Sequence, residues 1–180
     1  VKVFQAISDF FATLDALLSQ RIFRWVAVQA RDRLGISQWQ LARQLVYGTM
    51  AGMIILQATE LLTMPTNAWV SRVLVLAMLV LVPLVLIKWE LPKINKLSRS
   101  EQGSLTAMIR GSGQRSLLHG WIIGVMFSRM LGLDHPSANP VAWLDLASIA
   151  MFMASLHVQA AILPPPPPPR EKLVLARQTG

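Results

Sequence analysis

Four long apolar runs, at residues 45–64, 68–87, 117–133 and 141–163, constrain this chain more than any other feature. At 1.5 Å per residue, about twenty helical residues cross a hydrocarbon core of about 30 Å. Backbone N–H and C=O groups find no partner in lipid, so an apolar run that enters it must be helical. With four such runs in 180 residues, the chain reads as a single all-α, polytopic membrane protein. Only 14% of its residues are charged, against about a quarter in soluble domains. The third run is the shortest. Pro83 in the second predicts a kink or a loosened last turn.

Two stretches look like copies of each other. Residues 43–53 read RQLVYGTMAGM, and residues 115–125 read RSLLHGWIIGV. Arg43, Leu45, Gly48 and Gly52 fall on Arg115, Leu117, Gly120 and Gly124. Each copy opens an apolar run that returns through a Pro/Asn loop, at 65–67 or 134–140, into a second run. Ala68-Trp69-Val70 and Ala142-Trp143-Leu144 then correspond. This pattern predicts two tandem helical hairpins as a parallel internal repeat. Gly48 with Gly52, and Gly120 with Gly124, place small residues one turn apart, where helices can approach closely. The first and third spans are expected to meet on these faces.

The remaining segments are polar or amphipathic. Residues 1–36 carry apolar side chains at spacings of three and four, with Phe10, Phe23 and Trp25 among them and Arg21, Arg24, Arg31 and Arg33 toward the end. They suit an interfacial amphipathic helix, or one packed on a partner. Asp9 and Asp15 interrupt its apolar run, so it is not read as a cleavable signal. Gly35 is the expected stop and Ser37 the expected N-cap of the next helix. Hairpin 1 then occupies 37–87, a polar connector 88–116, and hairpin 2 residues 117–163. A tail at 164–180 opens with Pro164, Pro165, Pro166, Pro167, Pro168 and Pro169, a run that must be polyproline II.

Lys and Arg number six before the first run, six in the connector and three in the tail, and none in the loops at 65–67 and 134–140. The positive-inside rule therefore puts both ends and the connector in the cytoplasm, in a bacterial inner membrane. The net charge of +8 is read as loop charge rather than a nucleic-acid face.

Residues equally far from a hairpin's centre lie at equal depth. That matches Glu60 with Arg72 and Arg129 with Asp145, two ion pairs expected to fix hairpin register. His119 and His157 share a depth near the cytoplasmic end and are candidate ligands for haem or a pigment. The sequence contains no cysteine, so thiolate chemistry is excluded. It shows no phosphate loop, zinc-protease helix or serine elbow. His135, between Asp134 and Pro136, reads as a turn residue.

These features point to a non-enzymatic membrane subunit without a cofactor, a scaffold for assembly of a larger complex. Its expected partners are membrane lipid and other membrane subunits, reached through the N-terminal helix and the proline tail; a homo-oligomer is compatible. A small oligomeric transporter or channel is the first alternative, and a haem or pigment carrier using His119 and His157 the second.

Overall fold

A computed structural model describes residues 2–63, 69–130 and 140–164. Every element among them is helical: α1 (Lys2–Leu17), a π-helical turn (Leu18–Phe23), α2 (Arg24–Leu34), α3 (Gln38–Thr63), α4 (Trp69–Val85), a second π turn (Leu86–Glu90), α5 (Leu91–Ser98), α6 (Gly103–Met130) and α7 (Pro140–Ala160). Two continuous helices are long and apolar enough to cross a membrane, Gln38–Thr63 and Trp69–Ser98.

Local signals set the helix ends. Gly35 takes the left-handed conformation, with φ 65°, that ends α2. Its N–H bonds the Arg31 carbonyl, and the Ile36 N–H bonds that of Ala30, both at 3.1 Å. Ser37 and Gln40 then form a reciprocal capping box. The Gln40 N–H donates to Ser37 Oγ at 3.2 Å, and the Ser37 N–H to Gln40 Oε1 at 2.8 Å. The connector is more helical than its polar composition suggests. Pro92 sits in the first turn of α5, where its missing N–H has no helical partner to lose. Gly111 and Gly113 lie inside α6 rather than punctuating a loop.

Both π turns keep a buried stripe straight. At about 100° per residue, Phe11 and Phe23 would stand about 120° apart on an α-helix; one extra residue absorbed in a wide turn reduces this to about 20°. The turn at Leu86–Glu90 acts likewise on α4 and α5. It aligns Leu86, Glu90 and Ile94, all buried.

α3 packs on α4, and α6 on α7, as hairpins do, while the most extensive contact joins α3 to α7. The α3 face is Ala42, Val46, Thr49, Gly52 and Leu56, a stripe at spacings of three and four. A Cβ on Gly48 would lie 2.9 Å from Met151 Sδ, and one on Gly52 would strike the Ser148 hydroxyl. Ser155 Oγ donates to the Ala42 carbonyl at 2.9 Å, and Thr49 Oγ1 to that of Ser148 at 3.2 Å. The first glycine pair therefore serves α7 and not α6. Gly120 has only Phe11 near its missing Cβ, at 3.9 Å, and Gly124 has no described neighbour within 4 Å. A small-residue pair states that a backbone comes close, but not whose.

The exterior is apolar and the interior holds polar groups. Trp69 and Trp89 are 70% and 73% exposed. They stand twenty residues apart, a rise of about 30 Å. Between them Leu74, Leu76, Met78, Val80, Leu81 and Val85 face outward. Buried inside are Asp15, Gln38, Thr49, Glu90, Arg115, His119, Ser148, Ser155, His157 and Gln159.

A buried Asp–Arg–His–His cluster as the candidate functional site

The N-terminal helix presents Phe11, Asp15, Ser19 and Phe23 to the bundle, four residues at intervals of four. The docked stripe thus carries two polar residues, Asp15 and Ser19, between two phenylalanines. Phe10, Leu17, Ile22, Trp25 and Leu34 lie exposed, the inverse of an amphipathic helix resting on a soluble core.

Arg115 of α6 meets this stripe. Its Nε donates to Asp15 Oδ1 at 2.5 Å and its Nη2 to Oδ2 at 2.8 Å, a bidentate pair. Nη1 and Nη2 also reach back along α6 to the carbonyls of Ala107, at 3.1 Å, and Met108, at 2.8 Å. That direction is natural, because helical side chains lean toward the N-terminus. Gly111 makes it sterically open, since a Cβ there would lie 2.7 Å from Arg115 Nη1. The guanidinium is thus 1% exposed yet supplied with acceptors.

The imidazoles continue the cluster. His157 Nδ1 lies 2.8 Å from Ser19 Oγ and 3.6 Å from Asp15 Oδ1. A carboxylate only accepts, so we assign the His157 proton to Nδ1. Its Nε2 then accepts from His119 Nε2, 3.3 Å away. His119 Nδ1 is left as a buried lone pair with no described partner. Phe23 stacks on the His157 ring at 5.0 Å and 4°, and Phe11 on the His119 ring at 6.5 Å and 19°.

Asp15, His119 and His157 bring three ligand atoms within 4.8 Å of one another. Asp15 approaches the Nδ1 side of His157, whereas His119 faces its Nε2. Arg115 also occupies both carboxylate oxygens. A divalent cation beside it would add buried positive charge with no anion to balance it. Two axial imidazoles on one haem must sit on opposite faces of the macrocycle, and a 3.3 Å Nε2 separation leaves no room for one. The cluster fits best as a clasp joining the N-terminal helix to α6 and α7.

A second polar set caps α7, whose chain runs on into proline. Gln38 Nε2 donates to Ser104 Oγ at 2.8 Å and to the carbonyls of Val158 and Ala161 at 3.5 and 3.3 Å. Gln20 Nε2 reaches the Ala160 carbonyl at 3.0 Å, and Arg31 Nη1 that of Pro164 at 2.8 Å. Proline donates no N–H, so side-chain amides and a guanidinium take over the helix-ending role. Pro165 to Pro169 and the tail after them lie outside the described residues.

Of the depth-matched charges, Glu60 and Arg72 are both half-buried. Equal depth leaves rotation about the helix axis open, and the pair needs both. Asp145 lies half-buried on α7; the side chain of Arg129, the loop with His135, and the first loop at 65–67 fall outside the described residues. The two arginines aligned in sequence play different parts, Arg43 contacting Asn95 Oδ1 at 3.4 Å and Arg115 closing on Asp15.

Sequence reasoning placed the two histidines together but passed over Asp15, Ser19 and Arg115. The available signals were the four-residue spacing of Phe11, Asp15, Ser19 and Phe23 and the placement of Arg115 one turn before His119. Comparison of the chain with protein-family models, with curated proteins and with solved structures returns no match.

Proposed function

We propose that the chain is a non-enzymatic integral membrane subunit, without a resident cofactor, that anchors or organises a larger membrane assembly. The observation that carries this reading is the inverted N-terminal helix. Its Asp15 and Ser19 are bonded inside the bundle, so the helix is held in place. Its outer face offers Phe10, Leu17, Ile22, Trp25 and Leu34 beside Arg21, Arg24 and Arg33, all exposed. An apolar surface fringed with cations suits the headgroup layer and a neighbouring subunit set into it. The buried hydroxyls of Thr49, Ser148 and Ser155 bond helix carbonyls, which suits a packed interior better than a conduit.

In this reading α3, α4, α6 and α7 all span a bacterial inner membrane as two hairpins. The chain ends and the connector are cytoplasmic, and the proline stretch projects the tail as a second contact. The halves arose as a parallel repeat and diverged in how they use their glycines.

The test is affinity isolation in mild detergent of the intact chain, a chain ending before Pro164, and Trp25→Glu. The intact chain is expected to bring down a defined set of membrane proteins, and both altered chains to lose members of it. A monodisperse monomer without partners in all three preparations would overturn the proposal. Because the chain has no cysteine, a single cysteine placed in residues 1–36, the connector or the tail reports topology directly.

A further inference from the structure

We propose that the chain binds one anionic glycerophospholipid, its phosphate between α5 and α6 and an acyl chain along α4. A cavity of about 300 Å³ between α5 and α6 is lined by Lys93, Lys96 and Arg110, with Ser100 and Thr106 as hydroxyl donors and Arg115 at its floor. Arg115 is neutralised by Asp15, and Lys93 by Glu90 at 3.2 and 3.3 Å. Lys96 and Arg110 make no ion pair among the described residues. Two uncompensated cations and two hydroxyls around one cavity fit a phosphate.

A second cavity, of about 650 Å³, shares Lys93 with the first, and Glu90, the partner of Lys93, lines the second. Apart from Gln114 its other walls are apolar, with Met78, Leu81, Val85, Trp89 and Phe152 among them. From Met78 to Trp89 is eleven residues, or about 16 Å, the depth of one leaflet's hydrocarbon. Trp89 marks the interface, and the cations begin just beyond it. A basic cavity opening onto an apolar groove at that depth matches an amphiphile with an anionic head. A soluble anion would use only the first cavity, and a zwitterionic lipid would leave the two cations unbalanced. The inference rests on α4 lying in the membrane and not on the anchoring role, so the two can fail separately.

The full chain is exchanged in mild detergent against equal amounts of phosphatidylglycerol and phosphatidylcholine, and retained lipid is counted by native mass spectrometry. Wild-type protein should keep one phosphatidylglycerol in preference to phosphatidylcholine. Lys96→Gln and Arg110→Gln should each weaken that retention about fivefold. Val85→Trp, which fills the groove from a lipid-facing position, should weaken it as well. Lys88→Gln, whose side chain lies outside both cavities, should leave it unchanged.

Equal retention of the two lipids, or cavity variants that hold phosphatidylglycerol as wild type does, would overturn the site. Equal loss in Lys88→Gln would reduce it to diffuse surface charge. Displacement of the lipid by inorganic phosphate would reassign it to a soluble anion.

Discussion

Asp15 and Arg115, one hundred residues apart in the chain, close on each other through two parallel hydrogen bonds of 2.5 and 2.8 Å. The same carboxylate lies 3.6 Å from His157 Nδ1, so it touches both α6 and α7 from the N-terminal helix. Severing a buried pair from one side leaves the other charge without compensation, at a cost of about 3–5 kcal/mol. Asp15→Leu and Arg115→Met are each expected to lose that much in reversible unfolding by denaturing detergent. The double variant, which buries no charge, should recover most of the loss. Additive losses would show that the pair does not act as a unit.

The glycine pairs of α3 and α6 should respond unequally. Gly52→Val drives a side chain into Ser148 and should destabilise the α3–α7 contact by about 1–3 kcal/mol. Gly124→Ala meets no described atom within 4 Å and should be neutral, or gain up to about 1 kcal/mol from helix propensity. Thermal denaturation in detergent reads both. Equal losses would mean that the second glycine pair also packs closely.

Gln38→Leu removes the amide that reaches Ser104 and the carbonyls of Val158 and Ala161. Buried carbonyls left without donors cost about 1–3 kcal/mol. Hydrogen exchange is expected to rise at the C-terminal end of α7 before it rises in α3. Uniform acceleration throughout the bundle would count against a capping role.

The two histidines should rank in a definite order. His157→Leu forfeits bonds to both Ser19 and His119 and is expected to cost about 2–3 kcal/mol. His119→Leu forfeits one bond and also removes the unpartnered Nδ1, so about 1 kcal/mol is expected. The reverse order, read by the same unfolding assay, would show that His119 is the better-bonded member of the pair.

Signals confined to a few neighbouring residues were legible in the sequence. Gly35 and Ser37 end one helix and start the next because each needs only a local geometry. The apolar run at 68–87 announces a helix able to cross a membrane, although its continuation through Pro92 to Ser98 is hidden by polar composition. What depends on distant pairing was not legible. The glycines of α3 declared a close approach without naming α7 as the neighbour. The depth argument placed Glu60 and Arg72 on one level but could not set their rotation about the helix axes. Asp15 was legible only as a break in the apolar run because its partner lies on α6, and an ordinary helical repeat takes no account of a π turn.

The wide turn at Leu18–Phe23 makes the length of the N-terminal helix count for more than the identity of its outward residues. Deleting one residue there would restore an ordinary α-helix with the same facing, whereas adding one that no further wide turn absorbed would swing everything beyond it by about 100°. Phe11 and Asp15 would keep their places while Phe23 left the His157 ring and Gln20 and Arg31 lost their alignment with the end of α7. Sequence drift on the exposed face should thus be freely tolerated, whereas a one-residue lengthening should detach half of the helix.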